Sequence, residues 1–506
     1  MNVFIKKSLT LVIVFLSTFL FNGCSDSLPG DPFPVVQIGA DNNGYESLAV
    51  AEILVQNCAT SGCHGTNNPA HGLKMVRYED LMKGSNSRHL NENGGGHDHG
   101  ISKVLHGDNY GGAAVIPFSS EKSLLFRLIS GIVEDSTKIM PQGAPKLSES
   151  QIQIIKTWID NGAKNNKGEI PFSGLLNNIY VCNQGSDNIR VINLSTMTTI
   201  RVIDVDFNKS LIDAPHNLAI YEDKLFVTLI GSGKFLKIDR KTNNIISSVD
   251  GLVYPGMIEL SSDGKTAYVS KSSTAPGNYD EIYIIDTELM QLKNRINLPV
   301  SGIPHGIALS NDDKVLVVAN MRKDRISFID TETLEPIGND LLLSALGDGS
   351  EEPMHTYITP NGQELLVSCM ASGSVKVINM ISKTVVQTIP LGHHPMQIAI
   401  SNDGAKAYCV DMHLNEINVL TRTSAGWGVT SQKITNPAFS MLYGVAITSD
   451  NKYLAVSSSN QNNAYKPVYN LPGALRPSNL TIIDLNTLEV KKVLDIDNYS
   501  TGVTAF

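Results

Sequence analysis

The chain has 506 residues, of which 42% are hydrophobic, and its formal net charge at pH 7 is -9. A chain of this length and composition supplies the material for two or three globular domains. The acidic balance argues against nucleic acid as a partner, because the phosphate backbone attracts basic surfaces.

The first residues have the pattern of an export signal. Two lysines precede an apolar run over residues 9–21, which is too short for a comfortable membrane span, and Cys24 follows shortly after it. This pattern resembles the signal of bacterial lipoproteins. The resemblance implies that residues 1–23 are removed, that Cys24 is lipidated and anchors the protein to a membrane, and that residues 24–44 form a tether. An ordinary secretory peptide is the alternative, and either signal predicts an oxidising location in the bacterial cell envelope, on the periplasmic or outer-surface side.

The most informative stretch is the CATSGCH run at residues 58–64, in which a histidine directly follows the second of two cysteines. Two thiols can hold a haem covalently while the imidazole ligates its iron; the usual spacing has two residues between the cysteines, and this stretch has four. The alternatives are a disulfide across a small loop and a metal site built from Cys58, Cys63 and His64. The pattern favours one haem c on Cys58 and Cys63, with His64 as an axial ligand of the iron.

Two helices are predicted on either side of this motif. The first covers residues 47–56 and leads into the motif. The second runs from Ser148 to Ala163, where Ser148 and Gln151 have the spacing of a capping box and isoleucines recur at helical intervals.

Residues 45–168 resemble a small class I c-type cytochrome domain, and the resemblance implies that they form a small all-α domain. The resemblance rests on the cysteine and histidine motif, the segment around Met75, the Met140-Pro141 pair and the final helix. It implies that His64 and Met140 ligate the iron from opposite sides. Met75 is the competing methionine, but it follows His64 too closely to reach the opposite face of the haem. The alternative for Met140 is a loop residue that packs on the last helix.

An insertion rich in glycine and asparagine, residues 85–112, separates the two expected iron ligands. Its composition predicts a surface loop without a core of its own. Four histidines in this loop are alternatives to Met140, or ligands for another metal: His89, His97, His99 and His106. A solvated polar loop is the expectation, because a glycine-rich backbone does not pre-organise ligands.

From about Phe172 onward, short β-branched strands separated by turns repeat along the chain. One clear start is PHGIALSND at residues 304–312, and further copies begin near residues 215, 255, 353, 395 and 442. A turn, an apolar strand, a third strand that ends in aspartate and a variable fourth strand complete each unit. Four strands per unit predict the blade of a β-propeller. Three further cysteines lie in such apolar strands and are expected to be buried thiols: Cys182, Cys369 and Cys409.

This pattern resembles the YVTN repeat family of seven-bladed β-propellers, and the resemblance covers residues 172–506. Six complete starts are visible, while the first unit, residues 179–208, has no inner strand ahead of it. Residues 499–506 have the pattern of that missing strand. We therefore expect the C-terminal strand to complete the first blade, which gives seven blades and removes an open sheet edge.

Propeller topology brings the histidines of this region to one face. Six of them fall in links that emerge on that face: His216, His305, His355, His393, His394 and His413. One prediction is a metal or cofactor site formed by His216, His305, His355 and His394 near the mouth of the channel. The alternatives are that these side chains fill turns beside the channel, or that they form a polar docking face.

Together these features predict an envelope-anchored protein that acts in electron transfer. The haem would exchange single electrons, and the propeller would dock a redox partner protein or a small-molecule reductant. Two alternatives stay open: a propeller binding or adhesion module with an accessory haem domain, and a propeller oxidoreductase that feeds the haem. No catalytic triad, paired-carboxylate site or phosphate-binding loop stands out in the sequence, which disfavours a hydrolase or a transferase.

Overall fold

The computed structural model describes residues 36–85, 112–133, 135–273, 275, 277, 279–467 and 476–506. The export signal, with Cys24, and the four histidines between residues 86 and 111 lie outside the described residues. Within the described part, none of the helices is both long and apolar enough to cross a membrane.

The N-terminal part of the described chain is helical. Its α-helices are α1 (Leu48–Asn57), α2 (Tyr78–Lys83), α3 (Leu124–Ser130) and α4 (Glu149–Asp160), and its short 3-10 helices are Asn42–Gly44, Ala70–Gly72, Ser120–Lys122 and Ser136–Lys138. We call residues 36–168 of this part the helical region.

Both predicted helices are confirmed. Ser47 caps α1 with its side chain, and Ser148 and Gln151 form a capping box at the start of α4. Helix α4 ends at Asp160 rather than Ala163, because Gly162 and Ala163 adopt positive φ values of 102° and 48°.

Three aromatic side chains form the centre of the helical region. Tyr45, Tyr78 and Trp158 meet edge to face, with ring centroids 6.0 to 6.4 Å apart. The two hydroxyls and the indole N–H each donate to a backbone carbonyl at 2.8 to 3.0 Å, so none of their buried polar ends lacks a partner. Helices α1 and α4 pack against each other around these rings.

The chain from Asn178 onward forms seven four-stranded antiparallel sheets, which are the blades of a propeller. The strands of each blade are given from inner to outer. Blade 1 consists of β28 (Ser500–Ala505), β1 (Asn178–Asn183), β2 (Asn188–Asn193) and β3 (Thr198–Asp204), and blade 2 consists of β4 (Pro215–Tyr221), β5 (Lys224–Leu229), β6 (Lys234–Asp239) and β7 (Asn244–Val249). Blade 3 consists of β8 (Pro255–Leu260), β9 (Thr266–Lys271), β10 (Tyr279–Asp286) and β11 (Gln291–Gly302), and blade 4 consists of β12 (Pro304–Leu309), β13 (Val315–Asn320), β14 (Arg325–Asp330) and β15 (Leu341–Leu342). Blade 5 consists of β16 (Pro353–Ile358), β17 (Glu364–Cys369), β18 (Ser374–Asn379) and β19 (Thr384–Pro390). Blade 6 consists of β20 (Pro395–Ile400), β21 (Lys406–Asp411), β22 (Glu416–Thr423) and β23 (Gly426–Thr435). Blade 7 consists of β24 (Leu442–Ile447), β25 (Tyr453–Ser458), β26 (Pro477–Asp484) and β27 (Val490–Asn498). A short 3-10 helix, Met321–Lys323, joins β13 to β14. The seven-bladed propeller predicted from the repeat is confirmed.

The C-terminal strand closes the ring. Strand β28 pairs antiparallel with β1, with Thr504 opposite Tyr180 and Val503 opposite Val181. The seven inner strands contact one another in a continuous circle. Blade 1 is therefore built from both ends of the propeller sequence, which leaves no open sheet edge between the first and last blades.

Burial follows strand position in each blade. The second and third strands of blade 1 are buried at every residue, whereas outer strands such as β7 and β19 alternate between exposed and half-buried residues. Cys182, Cys369 and Cys409 all lie on second strands, are completely buried and are in the thiol form.

Neighbouring blades approach closely at Gly502 on β28. A Cβ at this position would lie 2.6 Å from the carbonyl oxygen of His216 and 3.0 Å from the Cα of Asn217. We expect Gly502→Ala to lower the free energy of unfolding by about 1 to 3 kcal/mol, because both obstructing atoms belong to the backbone of blade 2. Denaturant unfolding would measure the change. Gly428→Ala is the control, since a Cβ there would meet no atom within 4 Å, and equal stability of the two variants would contradict the prediction.

The helical region contacts the edges of blades 1 and 7. Asp497 on β27 is buried, and its two oxygens accept from Lys122 Nζ at 2.6 Å and from Arg190 Nε at 2.8 Å. Lys122 belongs to the helical region and Arg190 to β2, so one carboxylate joins the helical region to both blades. On β3, the guanidinium of Arg201 lies over the ring of Phe118, 5.2 Å from its centroid.

Candidate functional site

The cysteine and histidine motif lies on the loop that follows α1. Backbone hydrogen bonds within this loop hold its shape. The N–H of His64 donates to the carbonyl of Cys58 at 3.1 Å, and the N–H of Ala70 donates to the carbonyl of Cys63 at 2.6 Å. The N–H of Met75 donates in turn to the carbonyl of His64 at 2.8 Å. These bonds hold the two thiols and the imidazole on one compact segment.

The imidazole of His64 is oriented by the backbone. Its side chain is buried, and Nδ1 lies 3.1 Å from the carbonyl oxygen of Leu73. Because a carbonyl only accepts, Nδ1 carries the proton and Nε2 keeps its lone pair. Burial lowers the pKa of His64, which favours the neutral form. A carbonyl bonded to one ring nitrogen while the other faces a metal is the usual arrangement of metal-bound histidine.

The two cysteines are thiols, so the predicted disulfide alternative is not formed in the structure. Cys58 is buried and Cys63 is half-buried; burial, together with the neighbouring Cys63, raises the pKa of Cys58 to about 12. The sulfurs of Cys58 and Cys63 and a ring nitrogen of His64 are not all within 4.8 Å of one another, because the one such group of three among the described residues lies elsewhere. A three-ligand metal site is therefore not assembled at the motif.

The two methionines differ in placement. Met140 is half-buried in the loop before α4, where it packs against the hydrophobic core of the helical region. Met75 is fully inside that core, and its backbone is bonded directly to that of His64. This placement keeps Met75 beside His64, whereas Met140 belongs to a separate loop.

The residues of the helical region fit a c-type haem. Two thiols lie on the same short segment as a neutral imidazole whose Nε2 keeps its lone pair, and a thioether is available on a separate loop. This is the donor set that His and Met ligation of a covalently held haem needs. The helical region therefore matches a c-type haem in the kinds of donor atoms and in the segments that carry them.

In the propeller, His216 and His305 meet across the central channel, together with Tyr443. The ring of His216 lies 6.0 Å from that of His305 and 6.4 Å from that of Tyr443, at interplanar angles of 90° and 76°. These residues belong to blades 2, 4 and 7, which are not neighbours, so their rings can meet only across the channel. All three are 6 to 7% exposed. We call these three residues the neck, a buried aromatic cluster in the channel.

Both neck imidazoles are neutral. Burial, with a smaller contribution from His305, lowers the pKa of His216 to about 3, and burial also lowers the pKa of His305. Nδ1 of His305 lies 2.7 Å from the carbonyl oxygen of Met354, and Nδ1 of His216 lies 3.4 Å from Oε1 of Gln184. The neck histidines are therefore held as neutral, hydrogen-bonded side chains.

His355 has a different position in the repeat. It is the third residue of its inner strand, and its Nδ1 accepts from the N–H of Ile398 in the next blade at 3.3 Å. Asn217 and Gln397, the third residues of their own inner strands, accept in the same way from N–H groups of the following blade at 3.0 and 3.3 Å. His355 thus takes part in a bond between blades that other residue types make elsewhere.

His394 lies apart from the other three predicted ligands. Its ring pairs with that of His413 at 3.7 Å between centroids and 36° between planes. Asp411 accepts from the backbone N–H groups of both His394 and His413 at 3.0 Å. His393 and His413 are exposed, so these histidines form a polar patch on the propeller face. The structure thus brings together His216 and His305, whereas His355 bonds to the next blade and His394 pairs with His413.

Sequence reasoning missed Tyr443 as a member of the neck. Tyr443 is the second residue of its inner strand, as are His216 and His305 in theirs. An alignment of all seven inner strands, rather than of the histidines alone, would have identified it.

Comparisons with known proteins support the propeller. No family model matches the chain. The uncharacterized protein YncE of Salmonella typhi is 37% identical over 82 residues, which is 15% of this chain and 23% of YncE, and YncE of Salmonella typhimurium gives the same values. The chain thus matches less than a quarter of the length of these relatives.

A solved structure matches a larger share of the chain than YncE does. A functionally unknown protein from Desulfotomaculum acetoxidans superposes with a TM-score of 0.52 at 14% identity, over 65% of this chain and 99% of that one. The β-propeller domain of Swd1 from Myceliophteria thermophila superposes with a TM-score of 0.46 at 12% identity, over 58% and 92% of the two chains. Likeness at such identities concerns the fold alone. The chain is therefore a seven-bladed β-propeller protein with a short YncE-like stretch and a helical region ahead of the propeller.

Proposed function

We propose that residues 45–168 form a c-type cytochrome domain with one haem c, and that the protein transfers single electrons in the bacterial cell envelope, anchored through lipid on Cys24. The orientation of His64 carries this proposal. Its imidazole directly follows Cys63, is buried and neutral, and presents Nε2 because Nδ1 is bonded to Leu73.

Each residue of the site has a separate part in this proposal. Cys58 and Cys63 would hold the porphyrin through thioether bonds, and His64 and Met140 would hold the iron. The Leu73 carbonyl fixes the ring of His64 and increases its basicity. A bound haem supplies an iron centre that changes oxidation state by one electron, and a thioether ligand keeps its potential higher than a second imidazole would.

The propeller would serve as the docking surface for a redox partner protein or a small-molecule reductant. The exposed His393 and His413 supply a polar patch for such contacts. The neck of His216, His305 and Tyr443 supports docking over catalysis in the channel, because its three side chains are buried and its two imidazoles are hydrogen-bonded within the protein. The polar patch favours docking over a metal site at His216, His305, His355 and His394, because no three of these histidines lie within ligand spacing of one another.

Substitution of Met140 tests the ligand set. We expect Met140→Leu to lower the reduction potential of the haem by on the order of a hundred millivolts or more, because the substitution removes a thioether ligand and keeps the side-chain volume. The methionine-to-iron charge-transfer band should disappear from the oxidised spectrum. A redox titration followed optically measures both effects.

Met75→Leu is the matched control for this experiment. It makes the same substitution at the other methionine, whose backbone is bonded to His64, and it should leave the potential and the band unchanged. If Met75→Leu removed the band while Met140→Leu did not, the ligand assignment would be overturned. A purified protein without haem would overturn the proposed function itself.

A further inference from the structure

Three aspartates converge where blades 1 and 2 meet. Asp187 lies in the turn between β1 and β2, Asp206 follows β3, and Asp213 precedes β4. One carboxylate oxygen from each lies within 4.8 Å of the other two. No other set of three His, Cys, Asp or Glu side chains within the described ranges has this spacing.

Two of these carboxylates have a buried oxygen without a hydrogen-bond donor. Asp213 is completely buried; its Oδ2 accepts from the N–H groups of Phe207 at 2.8 Å and Asn208 at 3.2 Å, but its Oδ1 has no partner among the described residues. Oδ1 of Asp206 is also buried without a partner, while its Oδ2 pairs with Lys209 at 2.8 Å. Buried carboxylate oxygens without donors are costly, so a cation at this point would remove a large penalty.

The ion pairs of the described residues do not balance the charge of the group. Lys209 forms an ion pair with one of the three carboxylates, and its own side chain is 78% exposed, so solvent screens it strongly. Three carboxylates facing one lysine leave a net negative site.

The equivalent turn of blade 4 shows what one carboxylate does without the other two. Asp324 occupies the turn between β13 and β14 with φ of 50°, as Asp187 does between β1 and β2 with φ of 45°. Oδ1 of Asp324 accepts from the N–H of Glu352 at 2.9 Å, and Oδ1 of Asp187 accepts from the N–H of Ala214 at 2.7 Å. Oδ2 of Asp324 is also satisfied, by the N–H groups of residues 350 and 351. The bond between blades therefore needs one carboxylate, and it does not account for Asp206 and Asp213.

We propose that Asp187, Asp206 and Asp213 bind one Ca²⁺ at the joint between blades 1 and 2. Calcium takes six to eight oxygen ligands at about 2.3 to 2.6 Å, so two oxygens on opposite sides of the ion stand about 4.8 Å apart. One carboxylate oxygen from each aspartate lies within this distance of the other two, which is compatible with three ligands of one ion. The group holds oxygen donors without nitrogen or sulfur, which favours Ca²⁺ over zinc or copper.

The ion would brace a part of the ring that also touches the helical region. Ser186, next to Asp187, accepts from the N–H of Asn498 at 3.0 Å. Asn498 directly follows Asp497, the carboxylate that binds Lys122 and Arg190. A cation on Asp187 would therefore hold together blade 1, blade 2 and the end of blade 7.

Calcium binding is tested on the full-length protein after treatment with a chelator. Isothermal titration with Ca²⁺ should show one saturable site with a Kd on the order of 10⁻³ M or tighter, and Mg²⁺ should bind more weakly, because it demands a smaller and more regular set of ligands. Thermal unfolding should shift to higher temperature with Ca²⁺. Absence of a saturable site in the millimolar range would overturn the proposal.

Two variants and a control identify the residues. Asp206→Asn and Asp213→Asn should each raise the Kd for Ca²⁺ on the order of tenfold or more, since each removes an anionic ligand. In the presence of chelator, Asp206→Asn should be at least as stable as the wild type, because repulsion between carboxylates is reduced. Asp324→Asn should lower stability but retain calcium binding. Unchanged binding in both Asp206→Asn and Asp213→Asn would overturn the assignment, and none of these outcomes depends on the haem.

Discussion

Serine at both Cys58 and Cys63 should abolish covalent haem attachment. Each thiol would form one thioether bond, so the double variant would keep the proposed iron ligands His64 and Met140 but lose both thioether bonds between haem and chain. Acid and organic solvent should then extract all of the haem, whereas the wild type keeps it on the polypeptide. The absorption spectrum of the extracted polypeptide measures the difference.

Cys409→Ala is the control for this pair of substitutions. Cys409 is a completely buried thiol on β21, far along the chain from the motif, and its loss should leave the haem content unchanged. Covalently bound haem in the Cys58 and Cys63 double variant would contradict the assignment.

Asp497→Asn should lower the free energy of unfolding by about 3 to 5 kcal/mol, because it leaves the buried guanidinium of Arg190 without its counter-charge. It should also loosen the helical region, since Lys122 loses the same partner. Denaturant unfolding measures the first effect, and limited proteolysis between the helical region and the propeller measures the second.

Asp250→Asn is the control for this substitution. It breaks an ion pair in which the aspartate side chain is 59% exposed, and it should lower the free energy of unfolding by less than about 1 kcal/mol. Equal effects of the two substitutions would contradict this account of the contact.

The same carboxylate predicts a dependence on pH. Burial alone would raise the pKa of Asp497, but the charges and hydrogen bonds of Arg190 and Lys122 outweigh it and hold the pKa well below its usual range. A depressed pKa contributes stability that is fully present above the unfolded value of about 3.9 and is lost as the pH falls below it. Unfolding measured between about pH 5 and pH 2 should therefore show a loss of stability in the wild type that is smaller in Asp497→Asn. An identical acid dependence of the two proteins would argue against the ion pair.

The features that the sequence predicts correctly depend on local patterns. The strands of the blades repeat a short apolar motif with a turn at a fixed place, and the capping box at Ser148 needs residues three positions apart. The C-terminal strand could be assigned to blade 1 because one unit lacked an inner strand and the last residues matched it.

The features that the sequence does not reveal depend on residues far apart in the chain. Asp497 and Lys122 are separated by 375 positions, and no pattern in either segment indicates that they meet. The neck is also nonlocal, because His216 meets His305 across an intervening blade that has Gly256 at the same position. His394 precedes its inner strand by one residue, and this small offset in the repeat accompanies its pairing with His413. Offsets of one residue decide which side chains meet. Assigning the histidines to one face of the propeller does not reveal these offsets.

Mass analysis of the peptide that contains residues 58–64 tests the central claim most directly. The protein should be purified after maturation in its native host and digested under conditions that preserve thioether bonds. We predict a peptide whose mass is increased by one haem and whose fragments assign the bonds to Cys58 and Cys63. The same peptide recovered quantitatively with two unmodified thiols, or with a disulfide between them, would contradict the proposal that this protein is a c-type cytochrome.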